Sequence, residues 1–105
     1  MTFREKLTEQ LLAEGASPDQ FSINDPKDNV MNLSENGQVY TVWFQTPGGG
    51  KYSEQTFDNP GEAVYDFVTR FMPTQVAERL AYQYHDPKLV IYHPDAIGKK
   101  DPEQN

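Results

Sequence analysis

The chain has no cysteine, one tryptophan, two histidines and only nine basic residues among 105. Without cysteine, disulfides and thiolate metal ligands are excluded, which fits a reducing compartment. No apolar run approaches the roughly 20 residues that cross a bilayer as a helix. The opening Met1-Thr2-Phe3-Arg4-Glu5-Lys6 is charged and its apolar residues are spaced rather than continuous, so no signal peptide is expected and a cytoplasmic location is. Sixteen acids against nine bases give a net charge of −7 and a pI near 4.6. Direct binding to a phosphate backbone needs a basic patch, so it is not expected. The acidity has two readings, solubility and complementarity to a basic partner such as a nuclease.

Punctuation divides what remains. Thr2 and Glu5 stand at capping-box spacing before Phe3, Leu7 and Leu11, with Leu12 widening the stripe and Gly15 placed to end the helix. Phe21 and Ile23 alternate with polar residues as a short strand, followed by a polar, acidic loop over residues 25–29. An Asn36-Gly37 turn pairs Leu33 with Tyr40 and Met31 with Val42. A loop over residues 47–50 pairs Phe44 with Ser53, Val42 with Gln55 and Tyr40 with Phe57. Both hairpins then place Met31, Leu33, Tyr40, Val42, Phe44 and Phe57 on one apolar face, an agreement that a one-residue slip would destroy.

Asn59-Pro60 opens a second helix with Glu62 at capping-box spacing and an apolar stripe of Ala63, Val64, Phe67, Val68 and Phe71, stopped by Pro73. A third helix is expected from about Gln75 to Tyr84, and Leu89-Val90-Ile91-Tyr92 reads as a strand whose exposed edge would allow a homodimer by strand addition. The expected fold is α+β, an antiparallel β-meander with two to three α-helices packed on one face. Residues 1–97 form a single α+β domain and residues 98–105, with no apolar side chain, a flexible C-terminal tail.

Chemistry is weakly marked. Pro47-Gly48-Gly49-Gly50-Lys51-Tyr52-Ser53 has strand-like flanks on both sides, where a phosphate loop has a strand before it, a helix after it and two glycines bracketing four residues, so it reads as a hairpin turn. His85 and His93 flank a short strand that would hold them roughly 25 Å apart if fully extended, and each sits in a proline turn. Asp58, Glu62 and Asp66 are accounted for by a helix start. No catalytic residue, metal site or cofactor is expected.

The sheet face opposite Val42 carries Thr41, Trp43, Tyr52, Glu54 and Thr56. Tyrosine and tryptophan among acids suit a protein interface, since they bury large area at low entropic cost. The alternative is that the N-terminal segment or the third helix covers this face and makes Trp43 part of a second small core.

Residues 36–71 also carry a resemblance. The run Asn36-Gly37-Gln38-Val39-Tyr40-Thr41-Val42-Trp43-Phe44, a glycine-rich turn, and then Thr56-Phe57-Asp58-Asn59-Pro60-Gly61-Glu62-Ala63-Val64 resemble small bacterial immunity proteins of polymorphic and contact-dependent toxin systems. Where that family has a Glu-Arg-Gly turn, this chain has Gln45-Thr46-Pro47-Gly48. The resemblance implies a non-enzymatic inhibitor that binds and neutralises a cognate toxin domain, expected to be basic. The residues expected to touch it are Trp43, Tyr52, Glu54, Asp25 and Asp28. Two alternatives stand beside it: a phage-encoded acidic inhibitor or nucleic-acid mimic, which would show a dense acidic stripe, and a small-ligand or accessory binding domain, which would show an enclosed apolar pocket.

Overall fold

Apolar side chains at helical spacing on one side and at strand alternation on the other dictate two layers that bury each other. The computed structural model, described over residues 2–84, has the order α1 (Phe3–Ala13), β1 (Phe21–Ile23), β2 (Met31–Asn36), β3 (Val39–Thr46), β4 (Gly50–Phe57), α2 (Pro60–Thr69) and α3 (Thr74–Tyr82). The strands form one sheet in the order β1-β2-β3-β4. The fold is α+β, as expected, and β2, β3 and β4 form the expected antiparallel meander. The sheet as a whole is mixed, because β1 runs parallel to β2. The segment 89–92, both histidines and the proposed tail lie outside the described residues.

Helices α1 and α2 start where local chemistry satisfies their free N–H groups, whereas α3 follows Pro73 with no side-chain cap. In α1 the Thr2 side chain accepts from Glu5 N while Glu5 accepts from Thr2 N, and Gly15 follows in a left-handed conformation at φ +99°. In α2 the Asn59 Oδ1 accepts from Gly61 N and Glu62 N, with Pro60 at the first helical position. Leu7 and Leu11 of α1 are fully buried, but Leu12 is 44 % exposed and does not widen the stripe. Phe67 lies at the centre of the core, edge-on to Phe21 and Phe71, and Phe21 stacks on Phe71. Fully burying such a ring contributes about 1.5–3 kcal/mol. The same core takes Leu33, Tyr40 and Val42 from the sheet and Val76, Ala77 and Leu80 from α3.

Both hairpins differ in register from the sequence expectation, in different ways. In the first, Leu33 lies opposite Val42 and Met31 opposite Phe44. The two turn residues are Gly37 and Gln38, and only Gly37 has positive φ, +68°. A glycine at the first central position is what a type II′ turn requires, and it displaces the turn by one residue. The pairing therefore moves by two residues, which leaves every side chain on its expected face. In the second hairpin Tyr40–Phe57 and Val42–Gln55 pair as expected, but Phe44 lies opposite Tyr52 instead of Ser53. The loop is 47–49, with Gly48 and Gly49 at φ +92° and +86°, and a β-bulge falls between Val42 and Phe44.

Candidate functional site

The face of the sheet away from the helices is built around Trp43, and it is closed. Parallel strands cannot be joined by a hairpin, so the chain between β1 and β2 must run back along the sheet. Because β1 is only three residues long, roughly 10 Å, the short connection over residues 24–30 suffices. Asn24 and Asn29 bracket it in left-handed conformations, φ +58° and +65°, which asparagine tolerates better than most residues. The Asn24 Oδ1 accepts from Glu35 N at 2.6 Å, and Asn29 N donates to Gln45 O at 2.7 Å.

This crossover is fixed from below by Asn32, which lies opposite Trp43 and is 1 % exposed. Its side chain accepts from Lys27 N and donates to Lys27 O and Val30 O, each at 3.0 Å. Ser22, beside it on β1, donates its hydroxyl to Asp25 O. The Trp43 Nε1 donates to Gln45 Oε1 at 3.1 Å, and Gln45 Nε2 donates on to Asp28 Oδ1 at 2.9 Å. Lys51 Nζ stands over the indole, 4.6 Å from the ring centroid. A cation held over an indole face is attracted by the ring quadrupole.

Trp43 is accordingly 3 % exposed. Of the two sequence readings of this residue, the covered one describes the structure. Trp43 lies outside the helix-side core, and the side-chain contacts on its face come from the crossover, through Asn32 and the Gln45–Asp28 link, and from Lys51. Trp43 therefore presents no free surface to a partner. Asp25 and Asp28 keep exposed carboxylates, but both are engaged. Asp25 lies 3.7 Å from Lys27 Nζ and 3.9 Å from Arg4, and Asp28 accepts from Gln45.

The open part of the sheet is β4. Seven of its eight residues are exposed, and its outer edge pairs with no strand among the described residues. The bulge decides what each side of it shows. Cross-strand partners share a face. Lys51 lies opposite Gln45 and so joins Trp43's face, while Tyr52 lies opposite Phe44 and so joins the helix side. This corrects the expected placement of Tyr52 beside Trp43. Tyr52 remains 60 % exposed. Glu54 is half-exposed and 3.9 Å from Lys51 Nζ, a surface pair that contributes little to stability.

Ser53 marks the bulge, at φ +55°. For a serine that backbone costs about 1–2 kcal/mol, and something must hold it. Arg70 does. It follows α2, its side chain is largely buried, and its Nη2 donates to Ser53 O at 2.8 Å and pairs with Asp66 Oδ2 at 2.8 Å. A charge-assisted hydrogen bond to a carbonyl contributes about 1.5–3 kcal/mol, enough to offset the strain. Asn32, Lys51, Ser53 and Arg70 were not singled out by sequence. Only Arg70 carried a local signal, its i,i+4 spacing from Asp66.

Two tyrosines on the helix side are shifted electrostatically. Burial first, then the charge of Glu35 and a hydrogen bond to it, raise Tyr40 above the ordinary 10.0. Burial pushes Tyr84 up to about 12. Tyr84 packs edge-on to Phe3 and donates its hydroxyl to Gln10 Oε1. A recess of about 570 Å³ beside the start of α1 is lined by Thr2, Arg4, Glu5, Asn24 and Glu35. Thr2 and Glu5 are spent on the helix cap there and Arg4 turns to Asp25, so this lining is not that of an enclosed apolar pocket. Among the described residues no group of three or more His, Cys, Asp or Glu side chains is placed to hold a metal ion. No protein-family model, curated protein or solved structure matches the chain.

Proposed function

We propose that the protein is a non-enzymatic binding module of the immunity-protein type, which occludes a basic toxin domain through the outer surface of β4. The observation that supports this most is the exposure of β4 along nearly its whole length, with Tyr52, at 60 %, more exposed than Val39, the other exposed large hydrophobic residue of the sheet. A strand edge offers main-chain hydrogen bonds to an extended segment of a partner, and its alternating side chains supply selectivity. Glu54 and the following exposed Asp58 give that surface acidic character toward a basic partner. Trp43 takes no direct part in this form of the reading; it supports β4 from behind through Lys51.

The distribution of acids favours a contact surface over a nucleic-acid mimic. Among the described residues they lie on α1, β2, β4, α2 and α3 and in the connections, and Glu14, Asp25, Glu54 and Asp66 are paired with bases. Isothermal titration against the toxin domain encoded next to the gene tests the reading. Tyr52→Ala is expected to weaken binding at least tenfold and Glu54→Lys to weaken it severalfold. Unchanged affinity in both variants, or no binding by the wild type, would overturn the assignment.

A further inference from the structure

We infer that the half of β4 nearest the glycine turn has two registers, and that Arg70 is the lock that selects the bulged one. The pairing Tyr40–Phe57 and Val42–Gln55 can continue without interruption to Phe44–Ser53, Gln45–Tyr52 and Thr46–Lys51, closing on a loop of residues 47–50. The observed chain breaks that continuity at Ser53 and shortens the loop by one residue. A slip between the two states moves Tyr52 onto Trp43's face and Lys51 off it, because a one-residue shift turns each side chain over.

Three features make the second register accessible. Ser53 leaves its left-handed conformation, φ +55°, for extended backbone. Gly50 leaves a tight place: a Cβ there would stand 2.7 Å from Thr46 Oγ1, so the bulged register admits only glycine without movement of Thr46. The extra loop residue falls in the run Gly48-Gly49-Gly50, the part of the chain freest to take it. Lys51, Tyr52 and Ser53 are all exposed, so the slip displaces no core side chain.

Two features oppose it, and both are side-chain contacts that belong to the bulged register alone. Arg70 Nη2 holds the Ser53 carbonyl at 2.8 Å, and Lys51 Nζ sits 4.6 Å from the Trp43 ring centroid. The lock therefore lies on the helix layer while the switch lies on the sheet edge. Any event that draws Arg70 away, such as a partner's carboxylate, transfers Tyr52 to the opposite side of β4. The slip itself stands without any partner; only its consequence, withdrawal of Tyr52 from the outer surface, rests on the contact reading above.

Nuclear Overhauser spectra of the isolated protein test this directly. In the wild type, Lys51 methylenes are expected to contact the Trp43 indole and Tyr52 ring protons to contact Phe44. In Arg70→Gln, contacts from the Tyr52 ring to Trp43 and Gln45 should appear as Lys51 loses its ring-shifted resonances. Ser53→Gly, which relieves the positive φ, should suppress them when added to Arg70→Gln. Gly50→Ala perturbs the bulged register through Thr46 rather than through Arg70 and should give the same new contacts. A folded Arg70→Gln or Gly50→Ala protein that keeps only the wild-type contacts would overturn the inference. Loss of the fold in both variants would overturn it too, because the slip leaves the core pairs in place.

Discussion

Arg70 and Ser53 meet where the helix layer and the sheet edge are joined: the guanidinium at the end of α2 donates to the carbonyl of the bulged residue in β4 at 2.8 Å. The same nitrogen pairs with Asp66 at 2.8 Å, and Arg70 Nη1 approaches Met31 Sδ at 3.6 Å. Arg70→Ala removes these contacts and leaves a half-buried carboxylate without its cation. It is expected to cost about 2 kcal/mol, read as a lower urea midpoint at unchanged m-value. Arg70→Lys should recover only part of this, since the shorter lysine has to bring its single ammonium to both oxygens and has no second nitrogen to reach Met31 Sδ.

The crossover over Trp43 depends on one buried amide. Asn32→Ala abolishes three hydrogen bonds to the main chain at Lys27 and Val30. Those groups then have to find water or remain unpaired. The expected loss is about 2–3 kcal/mol. Asn32→Asp keeps the acceptor but loses both donated bonds and buries a charge, so it should be no less destabilising. Chemical denaturation followed by far-UV circular dichroism gives both values.

Alkaline pH should weaken the fold through Tyr84 and Tyr40. Both have folded-state pKa values raised above 10.0, Tyr84 to about 12. The unfolded chain therefore releases these protons first. Their contribution to stability is complete below pH 10; Tyr84's is lost as pH rises through about 12, and Tyr40's as pH rises through its own raised value. Tyrosinate absorbance should show one group titrating late in the native protein, and Tyr84→Phe should remove that late step. A native titration indistinguishable from that of the unfolded chain would contradict the burial of Tyr84.

The layers of the fold were legible in the sequence because they rest on local signals. Thr2 and Glu5, Asn59 and Pro60, and the alternation of Leu33, Tyr40 and Val42 each act within a few residues, and each was realised. The first turn was misplaced by one residue, since Asn36-Gly37 and Gly37-Gln38 are both acceptable two-residue loops and the final register is set by packing. The face assignment survived only because the resulting error was an even number. The bulge was not legible. It depends on Arg70, far along the chain from Ser53, and the local sequence Tyr52-Ser53-Glu54 is an ordinary strand. The parallel direction of β1 and the closure of Trp43's face were hidden for a related reason. Three strand residues do not show which way their partner runs, and a polar loop does not show that it folds over a tryptophan. The two left-handed asparagines, Asn24 and Asn29, were the trace of that crossover in the sequence.

The functional account depends on a division of the sheet into a face closed over Trp43 and an open β4. Because the chain has a single tryptophan, acrylamide quenching of its fluorescence reports on that division alone. The account predicts blue-shifted emission, weak quenching in the wild type, and strong quenching once Asn32→Ala releases the crossover. Red-shifted emission that acrylamide quenches as readily as free tryptophan in the folded wild-type protein would contradict it and return Trp43 to the exposed surface.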